Sequence, residues 1–563
     1  MKKIYFAAPL FNEMELKRNE EYTGLLEEWG YKVYLPQREA GLSAQILKDE
    51  NKNKSEINKK IFNTDLSGIK NCDILIFFLD GRVPDEGACV ELGIAYALGK
   101  KCIGYKTDDR NLDFTGDDNL FIEGCMNFKV MHNKEELKKA LMENWNMDLF
   151  VKLIITVLIF YTIFFYIRTK IFLNRAMNEK KSIKQINKKN KNIIIAIPVL
   201  REQNSIENTI KYFNTITKDI PIVLITTQKE IKENLTNEKT TQDIIKEKII
   251  IKYKNVYWID YPYTEGYMSD QLNYMLENLE NIFDRKIDLD KTYLALYNAD
   301  SRPNENTFRE IIQKIENNNV VQQYSYCMQN YEKIKGIPRG FSIYQSNFEL
   351  KTGLINSFFK SNILYTHIVG HGLIINMKLL KELGNFNTEF WCEDIYLGIQ
   401  LKFNNIKIIP LLTLENMETP DKLSKIIKQN SVWFKTTSQF WKIYKDIVKR
   451  RQDKNKINGL LGVLNEFKCA INWISLPIIL LISIIISIII RKYALLLSII
   501  VSYVIYIIVN TRCTINIINK LDNKKYRATL KLIIDVLIAT TISNIGPLYS
   551  IIFNKKEKYK TER

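Results

Sequence analysis

Short apolar runs alternate with stretches of helical spacing over the first 145 residues. Lys3–Ala8 is a short apolar run and Glu13–Trp29 has helical spacing; Tyr31–Leu35 reads as a second strand. Ile57–Ile69 then reads as a helix, Cys72–Leu79 as a buried strand, Glu86–Leu98 as a helix and Lys101–Tyr105 as a further strand. This βαβ alternation predicts a flavodoxin- or Rossmann-like parallel sheet, wound on both faces. Ligands are then expected beyond the carboxyl ends of the strands. Residues 149–167 are almost wholly apolar, and 149–173 is read as a hydrophobic, membrane-contacting segment. A basic linker follows at 174–191, and α/β alternation returns over 192–450. Within 470–553 three Ile-rich runs, 470–490, 493–510 and 530–553, read as transmembrane helices, before a basic tail at 554–563.

Length and charge sharpen this division. A chain of 563 residues predicts two or more domains. The net charge of +18 fits nucleic acid, an anionic membrane or phosphorylated substrates. Position separates these: nine Lys or Arg and one acid lie between Arg168 and Lys191, and five basic residues with two acids end the chain. Both clusters flank apolar segments, which points to membrane lipids and topology rather than nucleic acid. Eight cysteines without a CxxC pair, and three histidines, argue against zinc and for reduced core thiols. Met1 leads directly into a strand-like run, so the N-terminal domain is expected to fold in the cytosol. The localisation expected is the cell membrane, multi-pass, with cytoplasmic catalytic domains. A true span at 149–167 followed by a cytosolic basic linker conflicts with that, unless the segment is interfacial or re-entrant, or one domain faces outward.

Chemistry in residues 1–145 concentrates in a few stretches. The chain opens KIYFAAPLFNEMELKRNEEY, continues through NTDLSGIK, and runs D-G-R-x-x-D-E-G-x-x-x-E-x-G-x-A-x-A-x-G-K from Asp80 to Lys100, with NLFIEG at 119–124. These stretches resemble the nucleoside 2-deoxyribosyltransferase family over essentially the whole domain. The resemblance implies Glu91 as the carboxylate nucleophile at C1′, Asp85 on the sugar hydroxyls and Asp65 on the departing base. It also implies Tyr5 as a phenol on the nucleophile and Asn119 as a sugar contact lent across a subunit interface, hence a homo-oligomer. No cofactor is implied for this domain. Taken singly, each acid also fits a solvated or helix-capping role. The Lys- and Asn-rich stretch Ala40–Lys60 carries no motif, and base specificity and hydrolysis versus transfer stay open.

Residues 192–450 resemble a family-2, GT-A-type glycosyltransferase. The elements are IPVLRE after Asn192–Pro198, NAD at 298–300 followed by SRP, WCED after a GHG turn at 370–372, and QNSVW from Gln429 to Trp433. The resemblance implies Asp300 as ligand to Mg2+ or Mn2+ beside the leaving diphosphate, and Asp394 as the base on the acceptor hydroxyl, supported by Glu393. It implies Glu202, Asn273 and Asn298 on the nucleotide-sugar donor, and Gln429 with Trp433 on the acceptor or diphosphate side. The sequence departs from the family pattern at Asn298, where an acid is usual, at Val432, where an Arg is usual, and at Thr226–Glu230, where acids are usual. A lipid-linked or polysaccharide acceptor fits the apolar C-terminal segments, with Trp433, Trp441 and Trp473 at the membrane boundary. Asp535, inside the last apolar run, is a functional candidate by its setting. The alternatives are a transferase whose first domain only senses nucleotide, and a membrane scaffold of two inactive folds.

Overall fold

The computed structural model describes residues 2–41, 53–81, 83–110, 118–181, 190–217, 219–233, 239–359, 368–450 and 455–553. The expected basic tail, residues 182–189 of the linker and residues 42–52 of the Lys- and Asn-rich stretch lie outside the described residues. The chain divides into two compact units: Met1–Leu153 with Ile485–Leu496, and Ile154–Ile484 with Leu497–Arg563.

The first unit is built on strands β1 Lys3–Ala7, β2 Lys32–Tyr34, β3 Ile74–Phe78, β4 Lys101–Tyr105 and β5 Val130–Met131. They form one sheet in the order β2-β1-β3-β4-β5, with every pairing parallel. Side chains alternate across the sheet. Ile4, Phe6, Ile74, Ile76 and Phe78 pack on one face beneath Leu26 of the helix Glu13–Glu28. Tyr5, Ala7, Leu75 and Phe77 pack on the other, with Ile69 of the helix Lys54–Asn71 and Leu92 of the helix Glu86–Ala97. The chain runs outward from β1 to β2 and returns to place β3 on the other side of β1. That reversal opens a crevice at the carboxyl ends of β1 and β3, the usual ligand position in such sheets.

The second unit contains β6 Asn192–Pro198, β7 Ile222–Thr227, β8 Val256–Tyr261, β9 Thr292–Leu296, β10 Arg302–Pro303, β11 Val320–Gln322, β12 Ser325–Tyr326, β13 Leu373–Asn376, β14 Ile409–Pro410 and β15 Glu415–Asn416. Seven of these make a sheet in the order β14-β11-β13-β9-β6-β7-β8. Strand β13 is antiparallel to both its neighbours and the remaining pairings are parallel. The sheet β10-β15-β12 is separate and small. Because β6, β7, β8 and β9 are parallel, the loops after them gather at one edge.

Among the described residues, four helices are long and apolar enough to cross a membrane: Lys134–Lys181, Lys456–Ile489, Tyr493–Leu521 and the stretch Leu530–Ile552. The structure corrects several expected bounds. The segment at 149–173 lies inside the single helix Lys134–Lys181, which also takes in the start of the expected linker. The C-terminal helices begin at Lys456, before 470, and the second runs past 510 to Leu521. The last run is two helices, Leu530–Thr541 and Ile545–Ile552. Half of its apolar window is buried by protein, against 17–33% in the other three, so much of its apolar surface is covered by the second unit itself. Glycine explains the close packing. A Cβ at Gly340, in the helix Ile337–Phe348, would stand 2.0 Å from the Asp535 carbonyl oxygen. One at Gly546 would stand 2.5 Å from the Asn430 side chain.

Candidate active sites

Three of the expected residues meet through two tyrosines at the crevice of the first sheet. The Tyr5 hydroxyl, on β1, donates to Glu91 Oε1 at 2.6 Å. The Tyr5 ring stacks on Tyr34, with centroids 5.0 Å apart and 11° between planes. The Tyr34 hydroxyl, at the end of β2, donates to Asp65 Oδ1 at 2.9 Å. A Cβ at Gly68 would lie 2.8 Å from the Tyr34 ring, so glycine lets the helix carry Asp65 up to that tyrosine. Asp65 sits well inside the helix Lys54–Asn71 and does not cap it, whereas Asp85 is an N-cap. One oxygen of Asp85 accepts the Ala88 N–H at 2.7 Å. Asn119 is exposed and caps the short helix Leu120–Cys125 by accepting the Phe121 N–H at 2.9 Å. Tyr34 was not singled out from the sequence; its signal is the parallel register Tyr5↔Tyr34, visible only once β1 and β2 are paired.

In the second unit, expected residues lie in the loops at the carboxyl ends of β6 and β9. Glu202 follows β6; it accepts the Ser205 hydroxyl at 2.7 Å, and its N–H donates to Thr241 Oγ1 at 2.7 Å. Asn298 and Asp300 follow β9 in a tight turn, where the Asn298 N–H donates to Ser301 Oγ at 2.9 Å. Asp394, in the first turn of the helix Glu393–Phe403, accepts the Gly370 N–H at 3.0 Å and the Ile395 N–H at 2.8 Å. A Cβ at Gly370 would lie 3.5 Å from Asp394 Oδ2 and 3.7 Å from Glu393 Oε1, so both acids face this glycine. Gln429 is buried and accepts from Gln345 Nε2 at 3.3 Å, while Trp433, one turn on, is 44% exposed. Trp441 is likewise exposed, but Trp473 is tied down, its Nε1 donating to the Ser543 carbonyl at 3.0 Å.

Asn273 Nδ2 donates to the Phe386 carbonyl at 2.8 Å, and the Phe386 N–H donates to Asn273 Oδ1 at 3.0 Å. The amide thereby helps hold the segment that leads to Glu393 and Asp394, and keeps one N–H and one lone pair beyond these two bonds. An acid passed over in the sequence is Asp260, at the end of β8. It accepts the Thr226 hydroxyl at 2.6 Å and the Gln228 amide, and so supplies a carboxylate to the strand end where Thr226–Glu230 departs from the acidic pattern. The register Thr226↔Asp260 creates that placement.

Comparison with known proteins bears on both units. Residues 4–142 match the sequence profile of the nucleoside 2-deoxyribosyltransferase family. The chain carries a nucleoside 2-deoxyribosyltransferase domain. Among solved structures, a conserved protein from Enterococcus faecalis V583 shares 26% identity, covering 25% of this chain and 96% of its own, with a TM-score of 0.22. A 2-deoxyribosyltransferase from Bacillus psychrosaccharolyticus shares 26% identity over 24% of this chain and 90% of its own, with a TM-score of 0.20. A mannosyltransferase from Pyrobaculum calidifontis, solved with GDP-Man and Mn2+, covers 73% of this chain and 100% of its own at 10% identity and a TM-score of 0.41. No curated protein matches the chain.

The deoxyribosyltransferase domain holds its carboxylates in an environment that opposes ionisation. Burial pushes the Glu91 carboxyl up to about 7; the Tyr5 hydrogen bond works the other way, and the charges of Asp65 and Asp85 add to the rise. Burial also raises Asp65, partly offset by its hydrogen bond from Tyr34. Burial and the adjacent Glu91 charge keep the Tyr5 phenol protonated, and thus a donor. A Tyr5→Phe variant removes a hydrogen bond that favours ionised Glu91. A hydrogen bond to a charged group contributes about 1.5–3 kcal/mol, or about one to two pH units. The acidic limb of kcat/KM for base release is therefore expected to move upward by about one unit or more, read from a pH–rate profile of the full-length protein.

Among the described residues, no group of three or more His, Cys, Asp or Glu is placed to hold a metal ion. Asp300 follows the carboxyl end of β9. One carboxylate completed by phosphate oxygens and water is a donor set that suits a hard cation such as Mg2+.

Proposed function

We propose that the first domain cleaves the N-glycosidic bond of a nucleoside or nucleotide through a covalent glycosyl-enzyme on Glu91. The observation that carries this reading is the 2.6 Å hydrogen bond from Tyr5 to Glu91 in the crevice of a deoxyribosyltransferase domain. Ionised Glu91 attacks C1′ and the C–N bond breaks toward the base. Asp65, whose carboxyl is raised by burial, hydrogen-bonds the departing base. The free oxygen lone pairs of Asp85 take the sugar hydroxyls. A second base or water then releases the sugar from Glu91. Leu120 and Phe121, 67% and 87% exposed beside Asn119, support the reading that this segment meets a second copy of the chain. The test is incubation of the full-length protein in detergent with deoxynucleosides and deoxynucleotides, with and without a second base, followed by chromatography. Base release or exchange is expected. Its absence on every substrate supports a nucleotide-sensing domain instead.

A second activity is proposed for residues 192–450: inverting glycosyl transfer of family-2 type from a nucleotide-sugar to an acceptor at the membrane. Support comes from the carboxylates of Asp300 and Asp394, the second fixed by two backbone N–H groups. Asp394 takes the acceptor proton as its oxygen attacks the anomeric carbon. Glu202, Asn298 and Asp260 line the nucleotide end, and Gln429 with Trp433 the acceptor side. Asp300 would hold Mg2+ or Mn2+, which when bound would neutralise the leaving diphosphate. The apolar helices support a lipid-linked or polysaccharide acceptor kept close, and the basic residues of 168–191 support a cytoplasmic side of the cell membrane for 192–450. Mn2+-dependent release of nucleoside diphosphate from a panel of UDP- and GDP-hexoses is expected. Asp300→Asn is expected to lower that release at least tenfold, the equivalent of about 1.4 kcal/mol. Release that ignores both metal and substitution points to the scaffold reading.

A further inference from the structure

Behind Asp394 lies a buried charge pair that the transfer reaction, as drawn above, does not use. Glu415, on β15, is fully buried, and its Oε2 meets His371 Nδ1 at 2.9 Å. His371 sits between Gly370, whose N–H holds Asp394, and Gly372. Gly372 has φ +62° and lies so close to the Gln323 carbonyl that a Cβ would be 2.7 Å away. The Gln322 amide donates to the His371 carbonyl at 2.8 Å, fixing the loop from a third side. On the opposite flank, β15 pairs with β10, so Glu415 lies across from Pro303, three residues after Asp300. The pair therefore fastens the loop that holds Asp394 to the strand that follows Asp300. A buried carboxylate demands a cation; His371 is hydrogen-bonded to it, and the Arg302 guanidinium on β10 also feels its charge. Burial, the largest single influence, works against the imidazolium; the charge and hydrogen bond of Glu415 together with the charges of Glu349 and Asp394 outweigh it, and the net result is a pKa above the ordinary histidine value.

We propose that His371 acts as a fixed imidazolium, held by Glu415, that positions Asp394 and keeps it ionised as the acceptor base. This rests on Asp394 being that base. Asp394 and Glu349 are the other charges that face His371, and both are acidic. Loss of the imidazolium removes one positive charge from the surroundings of Asp394, which raises its pKa.

The neutral, hydrogen-bond-preserving double variant His371→Gln/Glu415→Gln is the informative one. In it the acidic limb of kcat/KM for hexose transfer, followed as nucleoside diphosphate release from UDP- and GDP-hexoses with Mn2+, is expected to move up by about half to one pH unit. KM for the donor should change little. Asp394→Asn separates the two readings. Survival of turnover in that variant removes the base reading itself, whereas loss of turnover together with an unmoved limb in the double variant overturns only the role of the pair. An independent readout needs no substrate. The chain has three histidines, so 13C/15N-histidine NMR of the full-length protein can follow each ring. One ring, absent in His371→Gln, is expected to stay protonated above pH 7 and to lose that protection in Glu415→Gln. A His371 ring that is neutral at pH 6.5 in the unaltered protein would refute the proposal.

Discussion

Glu91→Gln is expected to abolish base release, lowering kcat by about 10^4-fold or more, the scale seen when a nucleophile is removed from a site that acts as a unit. The substitution keeps the size of the side chain and a hydrogen-bonding partner for Tyr5, so a loss of this size reports the missing carboxylate and not a collapsed crevice. Stability gives a built-in control through its sign. The folded-state pKa of Glu91, about 7, lies above the ordinary carboxylate value near 4.3. Its protonated form therefore favours the folded state, and that contribution is complete below about pH 4 and lost as pH rises through 7. Glutamine removes the penalty of burying the charge, so the variant should melt no lower than the unaltered protein at pH 8. A variant that is inactive and more stable at pH 8 identifies a residue kept for chemistry. One that is inactive and strongly destabilised identifies a packing role and removes Glu91 as the nucleophile. Comparable activity on all nucleosides would do the same.

The first sheet was legible because its information is local. Each strand is an apolar run bounded by polar residues, and the helices Glu13–Glu28, Lys54–Asn71 and Glu86–Ala97 carry their own caps in Asn12, Asn53 and Asp85. The motif from Asp80 to Lys100 spans one strand end, one loop and one helix, so Asp85 and Glu91 could be read together. What escaped the sequence depends on pairing between distant segments. Tyr34 meets Asp65 only after β2 and the helix Lys54–Asn71 are packed. Asn273 and Phe386 lie 113 residues apart, and nothing near Asn273 in the chain signals that its amide is engaged by that backbone. Asp260 reaches the end of β7 through sheet register. The break of the last apolar run into two helices has a local signal in Asn544, Gly546 and Pro547, which its largely apolar composition masked, while its burial against Gly340 and Asn430 is a tertiary property.

Asp535 shows the same limit in a membrane setting, and it leads to the largest expected loss of stability. Its sequence context marks an acid in an apolar helix, a functional candidate. In the structure Arg339 reaches it with Nε at 2.9 Å and with Nη2. The Arg339 and Asp535 side chains are only 17% and 10% exposed. Neighbouring Gly340 brings the two helix backbones together at the same point, so the ion pair fastens the helix Leu530–Thr541 onto the helix Ile337–Phe348. Breaking one side leaves a buried charge unpaired. Arg339→Met or Asp535→Leu alone is expected to cost about 3–5 kcal/mol, measured by unfolding of the detergent-solubilised protein. The double variant replaces the pair with apolar side chains and should recover most of that loss, because an apolar pair of similar volume is often as stable as a buried ion pair. Recovery of stability with unchanged nucleoside diphosphate release makes Asp535 a fastener. Recovery of stability without recovery of release assigns it a part in the transfer reaction. Single variants that cost nothing would mean that Asp535 reaches water and that Gly340, not the ion pair, holds the two helices together.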